Sequence, residues 1–253
     1  MVKVILVTGA SRGIGESIVE VLLNLSADAV VYGVARSEAP LVELKKKYGN
    51  RFFYVVGDIT DDQVLKSLVD EAVRGHGKID SLIANAGVLE PVQNVNDIVV
   101  SDWKKLYDVN FFSIVSLVSI ALPFLKQSNG SILFVSSDAS DTYFNCWGAY
   151  GSSKAALNHF AMTIANEEKS VKALAIAPGI VDTQMQVEIR ENVGPKAMSE
   201  EALSLFKGLK SDNRLLDSSV PATVYAKLAL NGIPEAVNGK YLSYDAESLK
   251  EFR

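Results

Sequence analysis

Val2-Lys3-Val4-Ile5-Leu6-Val7-Thr8-Gly9-Ala10-Ser11-Arg12-Gly13-Ile14-Gly15 opens on an almost unbroken apolar run that passes at once into a glycine-rich turn. Such a run suits a strand covered on both faces, as in a parallel sheet. Glycines at 9, 13 and 15 suit a tight turn whose backbone N–H groups approach a pyrophosphate at a helix N-terminus. The G-x3-G-x-G spacing departs from the commoner G-x-G-x-x-G dinucleotide pattern. Taken alone, the turn also fits a strand-to-helix connection without a ligand. The following segment, about Ile14 to Leu25, carries apolar residues at 14, 18, 21, 22 and 25, one stripe of an amphipathic helix.

The same alternation continues outward. Strands are expected at Ala29–Val34, Phe52–Val56, Asp80–Ala84, Ser131–Val135 and Ala173–Ala177, with a helix at about 61 to 75. Strand-helix alternation with short connections predicts right-handed crossovers. The expected fold class is therefore α/β: one domain with a doubly wound, Rossmann-type parallel sheet of about seven strands and helices on both faces. Ligands of such sheets bind at the carboxyl ends of the strands. No linker, low-complexity tract or internal repeat interrupts the series.

Composition agrees. The 253 residues are 48% hydrophobic and 22% charged, ample for one core, and the net charge of -5 comes without a basic block, which argues against a nucleic-acid partner. A single cysteine, Cys146, and two histidines leave no internal disulfide and no credible zinc set. No signal peptide is expected before a strand that begins at residue 2, and the chain reads as cytoplasmic. The stretch Val109–Leu125 has no charge but contains Asn110, Ser113, Ser116, Ser119 and Pro123. It is short and polar for a bilayer span. It reads better as a helix buried between the sheet and a partner subunit.

Two sites can be read from residue types. At the end of the second strand, Ala35-Arg36-Ser37 offers no carboxylate for a ribose 2′-hydroxyl. Arg36, with Arg12 in the glycine turn, offers instead a positive fork for a 2′-phosphate. Glu38 is the nearest acid. Asn85-Ala86-Gly87 closes the fourth strand with small residues that allow close approach of a nicotinamide ribose.

The second site is Ser137 with Tyr150 and Lys154, the last two spaced to share one face of a helix. Reduction of a ketone needs a proton donor at the developing alkoxide while hydride arrives at carbon. A phenol of ordinary pKa near 10 holds its proton tightly. An ammonium about 5 Å away at an effective dielectric near 20 stabilises phenolate by roughly 3 kcal/mol, about two pKa units. Ser137 suits a hydrogen bond to the carbonyl. Each residue also has a plain structural reading: turn former, helix-start aromatic, solvated lysine. Their joint spacing favours the chemical one.

Thr8-Gly9-Ala10-Ser11-Arg12-Gly13-Ile14-Gly15, Asn85-Ala86-Gly87, Ser137 and Tyr150-Gly151-Ser152-Ser153-Lys154 together resemble the cofactor and catalytic sites of the short-chain dehydrogenase/reductase family. Over essentially the whole chain the resemblance is nearest to its fungal benzil-reductase branch, itself similar to sepiapterin reductase. The narrower match rests on Val31-Tyr32-Gly33-Val34-Ala35-Arg36, Val88-Leu89-Glu90-Pro91-Val92, Asn110-Phe111-Phe112-Ser113 and Ser218-Ser219-Val220-Pro221-Ala222.

The resemblance implies an NADPH-dependent reductase of ketones or 1,2-diketones that works as a homodimer or homotetramer. It assigns adenine framing to Asp58 and Ile59, although Asp58 also lies in a helix N-cap region with Thr60 and Asp61. By resemblance Asn110 holds a water beside Lys154 as a proton relay. In the turn Pro178-Gly179, backbone at Val181 meets the nicotinamide carboxamide and Thr183 reaches a phosphate or the amide. Gln184 to about Lys210, polar and broken by Gly194-Pro195 and Gly208, reads as a mobile lid or as two short helices. Tyr143, Phe144, Trp147 and residues of the 184–210 segment are candidates for the substrate wall, although Phe144 and Trp147 equally suit burial against the helix. The other readings are a catalytically silent NADP sensor and an alcohol dehydrogenase using NAD. The first leaves the serine and the phenol without a purpose, and the second lacks the acid it needs after Val34.

Overall fold

The computed structural model describes residues 2–253. Seven parallel strands form one sheet in the order β3-β2-β1-β4-β5-β6-β7. They are β1 Lys3–Thr8, β2 Ala29–Ala35, β3 Phe52–Val56, β4 Ser81–Ala84, β5 Ser131–Val135, β6 Lys172–Ala177 and β7 Tyr241–Ser243. The helices are α1 Gly13–Leu25, α2 Glu38–Tyr48, α3 Asp62–His76, α4 Val100–Tyr107, α5 Ser113–Ser128, α6 Gly148–Glu167, α7 Gln184–Val187, α8 Gly194–Ala197, α9 Glu200–Ser211 and α10 Ser219–Asn231.

The apolar strands are buried on both faces because their residues alternate between two clusters. Ile5 and Val7 of β1 meet α1, α2 and α10, while Val4 and Leu6 meet α3, α5 and α6. This two-sided cover is what a parallel sheet requires. At about 25 cal/mol per Å² of apolar surface, full burial of one such side chain contributes roughly 1.5–3 kcal/mol. Asp80, expected at the start of β4, stands just before it. Its carboxylate accepts from Val4 N–H at 2.8 Å and so ties the two strand entrances together. The N-cap of α3 is Asp61, which accepts from Gln63 N–H at 2.8 Å.

The strand order reverses between β1 and β4, and the connections leaving β1 and β4 diverge there, opening a crevice at the carboxyl edge. The stretch around Val109–Leu125 is helical throughout: α4 and α5 join through a wide turn at Asp108–Phe112. Within Val100–Ser128 one 18-residue window has a mean hydropathy of 1.8, long and apolar enough to cross a membrane by length and composition only. Its inner stripe, Ile114, Leu117, Val118, Ala121 and Leu125, lies in the core beside β4 and β5. Outside, Phe112 and Met162 are uncovered.

Candidate active site

A cavity of about 600 Å³ occupies the crevice. One end is walled by the glycine turn and the tips of β2 and β3, the other by Leu89, Phe144, Trp147, Tyr150 and Phe206. Gly9, Ser11, Arg12, Gly13, Ile14, Arg36, Ser37, Asp58, Ile59, Asn85, Ala86, Gly87, Ser137, Tyr150, Lys154, Pro178, Gly179, Val181 and Thr183 all reach its wall. Gly15 and Asn110 do not.

Gly15 is needed behind the wall. A Cβ there would sit inside the contact radius of the Gly9 carbonyl oxygen and of Asn85 Nδ2. Gly9 itself has φ +68°, a left-handed conformation natural to glycine. Asn85 holds this packing in place, donating to Thr8 O at 2.9 Å and Gly9 O at 3.3 Å. Thr8 Oγ1 accepts from Asn85 N–H and Ala86 N–H, both at 3.0 Å. Thr8 heads the glycine-turn motif, but its grip on Asn85 and Ala86 is not legible in a local pattern because the partner lies 77 residues away.

The turn fits an anionic cofactor group. Helix α1 begins without a side-chain cap, Arg12 being extended at φ -164° and ψ 162°. Its first-turn N–H groups therefore lack the partner that most helix starts carry, and a pyrophosphate suits that place. Arg36 is exposed at the rim. Asp58 below it binds Thr60 through N–H and Oγ1, each at 2.9 Å. The Thr60 backbone bond, the Thr60 hydroxyl and the Arg36 charge hold this carboxyl below the usual range against partial burial.

Asn110 is fully buried. Its Oδ1 accepts from Val88 N–H at 2.8 Å, and its Nδ2 donates to Val88 O at 2.9 Å and to Ser153 Oγ at 3.2 Å. The amide grips both sides of one residue of the cavity wall instead of standing in the cavity. A Cβ placed on Gly87 would be 3.4 Å from both Asn110 Oδ1 and Lys154 Nζ, so only a glycine-sized gap separates them.

Helix α6 presents Tyr150 and Lys154 on one face, with Lys154 Nζ 5.7 Å from the Tyr150 ring centroid. Lys154 Nζ donates to Val135 O at 2.7 Å, and the Ser137 hydroxyl bonds the Tyr150 oxygen. The proton affinity of the phenol runs opposite to the expectation from charge alone. Burial pushes Tyr150 up to about 12, opposed by the Ser137 bond and reinforced by the Asp138 carboxylate. Desolvation likewise brings Lys154 down to about 8. Both groups lie in a medium that disfavours their charged forms. At neutral pH this phenol is protonated and able to donate.

A stability prediction follows for Lys154. Its folded-state pKa of about 8 lies below the ordinary 10.5, so the unfolded chain binds more protons between those values and stability rises with pH there. The gap is worth about 3 kcal/mol. Lys154→Met removes this term, leaving a pH-independent loss at Val135 O. Its melting temperature relative to the native chain is expected to drop by about 6–12 °C from pH 7 to pH 10.5. Thermal melts at the two pH values check this, and an unchanged difference would refute it.

The substrate end is an aromatic stack. Trp147 lies 5.0 Å from Phe144 and 5.3 Å from Phe206 between ring centroids, near-parallel in both cases, with Tyr150 edge-on at 5.7 Å. Tyr143, expected beside them, is 82% exposed and points away. The segment from Gln184 is helical, and its Ile189, Phe206 and Leu209 pack in the cluster of Trp147 and Tyr150. Gly208 lies within α9 and breaks nothing. Phe206 is the residue that the 184–210 segment, expected to contribute to the substrate wall, brings to it, and Leu203, Phe206 and Leu209 recur at helical spacing.

A glycine turn at an uncapped helix start, with Ser137 beside the buried Tyr150 and Lys154 across the same crevice, defines a dinucleotide-dependent oxidoreductase fold. The short chain dehydrogenase profile matches residues 3–194, and the chain belongs to the short-chain dehydrogenase/reductase family. It is 75% identical over 252 residues to an uncharacterized oxidoreductase of Saccharomyces cerevisiae, covering 100% of this chain and 99% of the relative. It is 53% identical over 258 residues to the (S)-benzoin-forming benzil reductase of the same yeast, covering 98% of each. The crystal structure of a short chain dehydrogenase/reductase from Saccharomyces cerevisiae superposes with a TM-score of 0.98 at 75% identity, covering 99% of both chains.

Proposed function

We propose that the chain is an NADP(H)-dependent carbonyl reductase that reduces a ketone or a 1,2-diketone of the benzil type, with Tyr150 as proton donor. One observation carries the reading: Ser137, Tyr150 and Lys154 line the cavity whose other end has Arg12 and Arg36, with no carboxylate at Ala35-Arg36-Ser37. The yeast relative named a benzil reductase and the aromatic stack support an aryl carbonyl substrate.

The glycine turn and Thr183 hold the pyrophosphate, Arg36 the 2′-phosphate, and Asn85-Ala86-Gly87 with Lys154 the nicotinamide side. A bound, reduced nicotinamide supplies hydride to the carbonyl carbon. Ser137 orients the carbonyl oxygen. Tyr150 gives that oxygen its proton, so hydride and proton together make the alcohol. Lys154 stabilises the phenolate left behind. Segment 184–210, which supplies Phe206, covers the substrate and opens for its exchange.

Arg36→Ala is expected to weaken NADPH binding by about ten- to a hundredfold, the loss of one charge-assisted contact, with NADH binding unchanged. Titrations with both nucleotides test this. A native chain that prefers NADH would overturn the cofactor assignment.

A further inference from the structure

We propose that Asn158 is a positioning residue for the reaction, holding Ser137 in place through a ring of polar side-chain contacts that leads from the Ser136 hydroxyl to the Ser137 carbonyl oxygen. The proposal rests on the reading of Ser137 as the hydroxyl that orients the substrate carbonyl.

The ring can be followed donor by donor. Ser136 Oγ donates to Asn158 Oδ1 at 2.6 Å. Asn158 Nδ2 donates to Ser140 Oγ at 2.8 Å. The Ser140 hydroxyl faces the Tyr241 phenol and lowers its proton affinity, and Tyr241 O–H donates to Ser137 O at 3.1 Å. Ser136 Oγ gives and Asn158 both accepts and gives, so the chain runs one way from residue 136 to the carbonyl of residue 137. A carboxamide is the side chain that accepts at one atom and donates at the other. Leucine does neither, and ionised aspartate cannot donate.

The members come from the end of β5, the turn at Asp138–Ser140, helix α6 and strand β7. Ser136 is 1% exposed, and its N–H is already committed to Ile176 O at 2.8 Å. Asn158 stands one helical turn beyond Lys154 and two beyond Tyr150, on the same face of α6. One helix face therefore carries the phenol, the ammonium and the clamp on the third member. Ser137 is extended at φ -164° and ψ 152° and caps the turn Asp138–Ser140, its Oγ accepting from Ala139 N–H at 3.2 Å. Its carbonyl also accepts from Ser140 N–H at 3.0 Å, and the Tyr241 hydroxyl adds the contact from the β7 side. Small displacements of a substrate-orienting group cost up to about a hundredfold in rate.

The test is a double-mutant cycle with benzil and NADPH. Asn158→Leu is expected to lower kcat about ten- to a hundredfold and to leave KM for NADPH within about twofold. In a Ser137→Ala background the same change is expected to alter kcat by less than about twofold, because Asn158 acts through Ser137. If Asn158→Leu does not fold, Tyr241→Phe serves in its place. It removes one hydroxyl from the ring, with an expected loss of about three- to tenfold that also vanishes in the Ser137→Ala background. Unchanged kcat in the single variants, or the same factor with and without Ser137, overturns the proposal. Native kcat in Ser137→Ala alone instead overturns the role of Ser137, a separate result.

Discussion

Tyr150→Phe is expected to lower kcat for ketone reduction by about a thousandfold, within the span of a positioned general acid, while the dissociation constant of NADPH stays within about twofold. The ring keeps its edge contact with Trp147, so the change removes one hydroxyl and its Ser137 bond. The buried phenol, at about 12 in the free protein, is fully protonated across the neutral range. Reduction is therefore expected to show no loss of rate from phenol ionisation as pH rises to 9, whereas alcohol oxidation, which needs the phenolate, gains with pH over that interval. Stopped-flow and steady-state profiles in both directions read this. Near-native reduction by Tyr150→Phe would remove the proton-donor assignment.

Gly15→Ala is expected to have the largest effect on the fold of the cofactor end. The added methyl overlaps the Gly9 carbonyl and the Asn85 amide, and the backbone must yield because neither is a flexible tip. Strain of this kind costs about 1–3 kcal/mol, equivalent to a fall of about 2–12 °C in melting temperature for a chain of this size. Because the shift displaces the helix start itself, NADPH affinity is expected to fall about a hundredfold or more, well beyond what stability loss explains. Calorimetric titration and thermal melts separate the two. Native affinity would show that the turn tolerates a side chain at this place.

Much of this was legible in the residues. Phe52–Val56 and Ser131–Val135 are strands with the bounds expected of them, because a fully apolar run between turn residues has few alternatives in an alternating chain. Tyr241–Ser243 is three residues long and half-buried, too brief to carry a period. The glycine turn and the Tyr150–Lys154 spacing declared the site, since both are local patterns. What spacing does not carry is depth. Asn110 and Gly15 look like site residues along the chain and lie behind the wall, and Tyr143 looks like an aromatic wall and faces water. The proton affinity of Tyr150 fails for the same reason: charge separation follows from helix geometry, but desolvation is a property of everything packed around it.

The wide turn at Asp108–Phe112 lets one long rod serve two masters. The additional residue it accommodates resets the angular phase between α4 and α5, so Leu106 is delivered to the pocket cluster and Ile114 and Leu117 to the sheet core. Side chains upstream of the reset thereby face the chamber and those downstream the sheet, with Tyr107, against Phe111 and Phe112, spanning the two. The chamber can be recontoured at Trp103 and Leu106 without disturbing the interior that keeps the sheet assembled.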